Sequence, residues 1–193
     1  MPAYRFPKPY ADFVARMRVP GGFLLILAFA LLSRPSWTSI LWGVVIALPG
    51  LLLRGWAAGH LRKNTQLTIS GPYARVRNPL YAGSLVMAAG MVAAGRSWLM
   101  GAVFASVFVF IYLPVIELEE QHLRKLFPAY DAYAAKVPLL IPAFRRIESS
   151  GAFSIATFLK NEEYKAWLAF LAGVAVLAAK ILWLSQIPNS MGT

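Results

Sequence analysis

Gln66-Leu67-Thr68-Ile69-Ser70-Gly71-Pro72-Tyr73-Ala74-Arg75-Val76-Arg77-Asn78-Pro79-Leu80-Tyr81-Ala82-Gly83 is a polar stretch, punctuated by proline and tyrosine, between long apolar runs. A second stretch of the same kind opens with Glu119-Glu120-Gln121-His122-Leu123. It continues through Phe127, Tyr130, Tyr133 and Val137 to Ile141-Pro142. The apolar runs around them read as spans at about 19–32, 37–58, 80–95, 98–118 and 164–184. The last would measure roughly 31 Å at 1.5 Å per residue, enough to cross a hydrocarbon core. The first and third are shorter and need flanking turns or a locally thinned bilayer. The expected fold class is an all-α membrane protein of about five transmembrane helices, whose cytoplasmic interfacial loops form a cofactor pocket.

Composition supports the membrane assignment. Of 193 residues, 59% are hydrophobic and 14% charged, against about 25% charged in soluble domains. Five tryptophans, Trp37, Trp42, Trp98, Trp167 and Trp183, lie near proposed span ends, where indole rings favour the interface. There is no cysteine, which removes disulfides and thiolate metal sites. No cleavable leader is expected, because the segment 29–35 after the first apolar run offers no cleavage site.

The net charge of +11 could suggest nucleic acid, but its distribution points to a membrane and to no nucleic-acid partner. Arg5, Lys8, Arg16 and Arg18 precede the first span, and Arg62, Lys63, Arg75 and Arg77 separate the second from the third. Arg124, Lys125, Lys136, Arg145, Arg146, Lys160 and Lys165 lie between the fourth and fifth or at the start of the fifth, while the opposite loops carry only Arg34 and Arg96. Positive residues stay inside, so the N-terminus is expected in the cytoplasm and the tail 185–193 on the opposite side. The acidic residues and both histidines, His60 and His122, fall on the cytoplasmic side too, as an active site opening there would require.

The first polar stretch is built to be stiff. Pro72 and Pro79 set their own φ and bias Gly71 and Asn78 toward extended backbone, and a stiff loop loses less entropy on binding. Asn78-Pro79 reads as a helix start, with Asn78 as N-cap and Pro79 first in the helix. Such a start offers free N–H groups and partial positive charge to a carboxylate or phosphate, and Tyr73 and Tyr81 add ring faces for a cation or purine. A rigid interfacial turn with belt tyrosines explains any one of these residues equally well, but not the whole set. In the second stretch, Glu119 and Glu120 project to adjacent helix faces, one inward and one solvated. A carboxylate at the membrane edge is costly without a partner or a task; the tasks are binding ribose hydroxyls, holding a cation, or acting as general base. No second histidine stands at helical spacing, so no metal is expected. Arg54 either snorkels or faces the bundle to meet an anion. Pro49-Gly50 and Pro114 are candidate kinks, and small residues from Ala82 to Ala105 allow close helix contact.

Together the two stretches resemble the isoprenylcysteine carboxyl methyltransferase and phospholipid N-methyltransferase superfamily of integral membrane enzymes. The first pattern appears as Leu67-Thr68, Gly71, Tyr73, Arg77-Asn78-Pro79, Tyr81 and Gly83. The second appears as Glu119-Glu120, Leu123, Phe127, Tyr130, Tyr133 and Val137. Both occur in order around one hairpin. There are three departures: Asn78 replaces the family histidine, the chain is one residue shorter between Phe127 and Tyr130, and Val115 stands where the prenylcysteine enzymes place an arginine beside the acceptor-site glutamate.

The resemblance implies S-adenosylmethionine as methyl donor, leaving S-adenosylhomocysteine. It implies donor contacts at Thr65, Gln66, Leu67, Thr68, Tyr73, Asn78, Pro79, Leu80 and Tyr81, and a catalytic role for Glu119 and Glu120 at a lipid-like or isoprenoid acceptor. It makes the chain a single membrane domain over 1–193, with a methyltransferase-like core at about 37–142 and an appended helix at about 164–184. The alternatives are an NADPH-dependent sterol-type reductase, which shares a similar turn, and a non-catalytic membrane scaffold of the same fold.

Overall fold

The computed structural model describes residues 6–144, 147 and 150–186; Arg5, Arg145, Arg146, Glu148 and the tail from 187 lie outside them. Every described element is helical. They are α1 (Lys8–Leu32), α2 (Trp37–His60), a 3-10 turn (Gly71–Ala74), α3 (Pro79–Gly95), α4 (Trp98–Val107), a π-turn (Phe108–Tyr112), α5 (Leu113–Leu126), α6 (Tyr130–Ala134), α7 (Ile155–Lys160) and α8 (Tyr164–Gln186). From α4 to α5 the helix is continuous, 29 residues from Trp98 to Leu126. The protein is an integral membrane protein: three stretches are long and apolar enough to span, and α1 makes a fourth if its two arms, bent by 56°, form one crossing.

That differs from the expected five. At 17 residues α3 is a shorter apolar helix, roughly 25 Å long at 1.5 Å per residue, less than a core of about 30 Å. Its start at Pro79 and its end at Arg96, which takes a left-handed φ of 50°, leave no flanking turn to lengthen it.

The short helix is held by close backbone packing against α2. Gly43 and Gly50 of α2 face Gly90 and Gly83 of α3. A Cβ on Gly90 would lie 2.4 Å from the Gly43 carbonyl oxygen, and one on Gly50 would lie 2.5 Å from that of Gly83. Small residues spaced seven apart on both helices bring the backbones together, and dispersion is the main attraction available between apolar helices in lipid. α8 closes the other side of this pair. Its Phe170 packs on Ala47 and Leu51, and its Leu177 on Ile40 and Ala94.

Pro49 sits inside an unbroken α2. Pro114 has a larger effect. It cannot donate to the Phe110 carbonyl four residues back, and its ring crowds that carbonyl; the helix widens into the π-turn just before it. The Tyr10 hydroxyl of α1 donates to the freed Phe110 oxygen at 2.6 Å. At the far end of α1, Lys180 of α8 donates to the last-turn carbonyls of Ala30 and Leu31 at 2.7 and 3.0 Å, satisfying groups that a helix end leaves open. α1 is therefore pinned at both ends, across the face of α5.

Candidate active site

The first polar stretch leaves α2 at His60 and returns at α3. Gly71, at φ +60°, lies so close to the His60 ring that a Cβ there would come within 2.8 Å of it. The loop is then tied to the segment after α6. Arg77 and Asn78 donate backbone N–H groups to the carbonyls of Pro138 and Leu139 at 2.9 and 3.2 Å, and Ala143 and Ile147 donate back to Arg75 and Ala74 at 2.8 and 3.0 Å. Beneath it, Tyr130, Tyr133 and Val137 form a buried cluster with Leu67, Ile69, Leu123 and Phe127. The Tyr133 hydroxyl donates to the Tyr73 carbonyl at 2.8 Å. The aromatic spacing of the second motif thus acts as the floor under the first.

Burial, above all, holds the Tyr73, Tyr130 and Tyr133 hydroxyls well above the usual phenol range. Nearby Tyr133, Glu163 and Glu119 add to the effect on Tyr73, and Glu120 to that on Tyr130 and Tyr133. All three are neutral hydrogen-bonding groups at any physiological pH.

A cavity of about 1010 Å³ opens between this loop, the end of α2, the start of α3, α5 and α1. It stands at the upper end of the range of about 300–1,000 Å³ for small-molecule sites. The two motifs meet in it: the Tyr81 hydroxyl donates to Glu119 Oε1 at 2.8 Å, and the Tyr81 ring lies edge-on to Tyr112, 6.0 Å between centroids.

The structure brings Gln66, Leu67, Thr68, Tyr73, Leu80, Tyr81 and Glu119 to this cavity, but not Thr65, Asn78, Pro79 or Glu120. Thr65 bonds back to the Arg62 carbonyl in an exposed turn, and Pro79 is buried at the helix start. Asn78 occupies the N-cap position without capping through its side chain. Its amide instead reaches Glu120 Oε1 and the Leu139 carbonyl, each at 3.5 Å. The first-turn N–H groups of α3 are left without a side-chain cap beside the cavity.

The two glutamates separate as adjacent residues on a helix must. Glu119 is exposed to the cavity and Glu120 is buried beneath it. Glu120 Oε1 lies 3.0 Å from Arg77 Nε and Oε2 lies 3.8 Å from Arg124. The Arg77 contact is an ion pair out of line for a hydrogen bond, and Arg77 also donates to the Ala134 carbonyl at 3.1 Å. Among the described residues Glu119 has no cationic partner.

Other lining residues escaped the sequence reading. Arg62, Lys63, Ser84, Tyr112 and His122 line the cavity, and so do Ala15, Gly22, Phe23 and Ile26 of α1. Nothing in the α1 sequence signals this, because its apolar residues read only as a span. Arg54 did carry a signal, being charged inside an apolar helix. It faces the bundle, and its anion is internal: Glu163, at 2.6 Å.

Comparison with known proteins bears on this site. The chain is 28% identical over 204 residues to the nickel-cobalt-cadmium resistance protein NccN of Alcaligenes xylosoxydans xylosoxydans, covering 95% of this chain and 94% of that one. It is 34% identical over 136 residues to the cobalt-zinc-cadmium resistance protein CzcN of Cupriavidus metallidurans, covering 68% and 62% respectively. No solved structure matches. The phospholipid methyltransferase family model matches residues 39–130, which hold the α2–α3 pair, the first motif, Glu119 and the start of α6. Over that segment, which carries the two motifs that meet in the cavity, the chain is similar to the phospholipid methyltransferase family.

Proposed function

We propose that the protein transfers a methyl group from S-adenosylmethionine to an amphiphilic, lipid-like acceptor, in a site facing the cytoplasm with the N-terminus on that side. The observation that carries this reading is the 2.8 Å contact between Tyr81 and Glu119, which joins the two motifs in one large cavity. The residues present suit the donor. Arg62, Lys63 and the uncapped α3 start favour its carboxylate, while the Tyr73 and Tyr81 rings and Glu119 favour its cationic end. Gln66 and Thr68 offer hydrogen bonds to ribose and base.

When bound, S-adenosylmethionine supplies an activated methyl on a positively charged sulfur whose leaving group is a neutral thioether. The protein's part is then alignment and exclusion of water. Leu118, Tyr112 and the α1 residues Phe23 and Ile26 make the apolar wall. Tyr81 orients the Glu119 carboxylate, which takes the proton from an acceptor head that must lose one. Glu120 anchors the floor.

The relatives are named for resistance to nickel, cobalt, cadmium and zinc. This chain has no cysteine and two histidines, and no grouping of three or more metal-binding side chains occurs among the described residues. A methylated membrane component is the route by which we connect this reading to the resistance for which the relatives are named. Calorimetric titration with S-adenosylhomocysteine, with NADPH alongside, tests the reading: saturable binding of the former alone supports it, and binding of NADPH alone refutes it. Tyr81→Ala and Glu119→Gln should abolish transfer of labelled methyl to a membrane lipid extract while leaving the protein folded; wild-type turnover in either would remove those roles.

A further inference from the structure

α8 begins beyond residues 39–130, the segment that matches the family. The residue just before it nevertheless reaches into the cavity wall. Glu163 is 6% exposed, and its carboxylate accepts from Arg54 Nε at 2.6 Å and Nη2 at 3.0 Å. Arg54 Nη1 donates to the Leu80 carbonyl at 3.2 Å and to Ser84 Oγ. These contacts engage all but one N–H of the guanidinium, on Nη2. The Arg54 side chain keeps 19% of its surface exposed, and the residue lines the cavity.

A bare guanidinium here would draw anions strongly, because a low-dielectric wall screens charge poorly. A fork-to-fork carboxylate cancels that charge and fixes the geometry. What remains is a hydrogen-bond donor without a field. At the other end of the cavity Arg62 and Lys63 have no carboxylate partner among the described residues. The cavity is therefore graded, cationic at the loop and charge-compensated beside α3.

We infer that Glu163 is a specificity-determining residue: it cancels the charge of Arg54, so that this end of the cavity accepts a neutral oxygen of an amphiphile, such as an ester or hydroxyl, and does not attract an anionic head group. The inference rests on the reading that the cavity takes an amphiphilic acceptor. Glu163 acts through Arg54 and ties the turn that leads into α8 to the site.

Oleate and monoolein, which share a chain and differ in charge, test it. Their affinities are measured by native mass spectrometry on the full-length protein and compared as a ratio. Glu163→Gln should shift the ratio toward oleate by about tenfold or more. Arg54→Gln, which leaves Glu163 uncompensated, should shift it the other way, and the double variant should return it to about the wild-type value. The opposite signs keep the test sound if one single variant fails to fold. An unchanged ratio in a folded single variant overturns the inference, as does failure of the wild type to take up either lipid. S-adenosylhomocysteine titration on the same samples separates the readings: shifted ratios without its binding sustain the role of Glu163 and strike only the methyl-donor reading.

Discussion

Replacing Glu120 by glutamine should destabilise the protein far more than the same change at Glu119. Glu120 is 9% exposed in its side chain, and Arg77, 15% exposed, lies 3.0 Å away. Without the carboxylate, Arg77 keeps only its bond to the Ala134 carbonyl at 3.1 Å. Removing one partner of a buried pair costs about 3–5 kcal/mol because the other charge is stranded. Arg124 adds little, since it is 26% exposed and retains Asp131 at 2.8 Å. A loss of about 3 kcal/mol is therefore expected, or a fall of roughly 6–12 °C in melting temperature for a chain of this size. Glu119→Gln weakens one exposed hydrogen bond, worth about 1 kcal/mol, so its melting point should move by no more than about 4 °C. Tryptophan fluorescence melts in lipid nanodiscs would measure both. The reasoning fails if Glu120→Gln melts within about 2 °C of wild type, or if Glu119→Gln is the less stable of the two.

Two other expectations concern the seam and the floor. Gly90→Ala should weaken or prevent folding, because the added Cβ would meet the Gly43 carbonyl oxygen at 2.4 Å with backbone on both sides; a variant that expresses and melts like wild type would show that α2 and α3 are less tightly apposed. Tyr73, Tyr130 and Tyr133 have folded pKa values raised above their unfolded value near 10. Their contribution is complete below about pH 10 and declines above it, as the unfolded chain releases protons that the folded one holds. Absorbance titration at alkaline pH should show these three ionising together with unfolding, after the exposed phenols; early ionisation of all eight tyrosines in folded protein would contradict the buried floor.

Much of this organisation was legible in one dimension. The apolar runs marked α2, α4 with α5, and α8 closely, because spanning a bilayer requires a length of apolar chain that no other constraint imposes. The floor residues were marked by aromatic spacing, although their role as support for the first motif was not. Pro114 announced a disturbed helix, but the π-turn and the hydroxyl of Tyr10 that satisfies Phe110 depend on a helix about a hundred residues away in sequence. Asn78 looked like a helix cap; in the fold it holds that position, but its amide donates to Glu120 and Leu139 instead.

Local chemistry and hydrophobic length determined the membrane class, the helical content and the identity of the two motifs, since each is a property of residues close together in the chain. Which glutamate faces the cavity, which anion Arg54 meets, and that α1 and α8 wall or support the site were decided only by tertiary packing. The physical reason is that a buried charge is stable only with a partner, and here the partners are far apart in sequence: Arg54 with Glu163 and Arg77 with Glu120. The close approach of α2 and α3 at Gly43, Gly50, Gly83 and Gly90 sets where those partners meet.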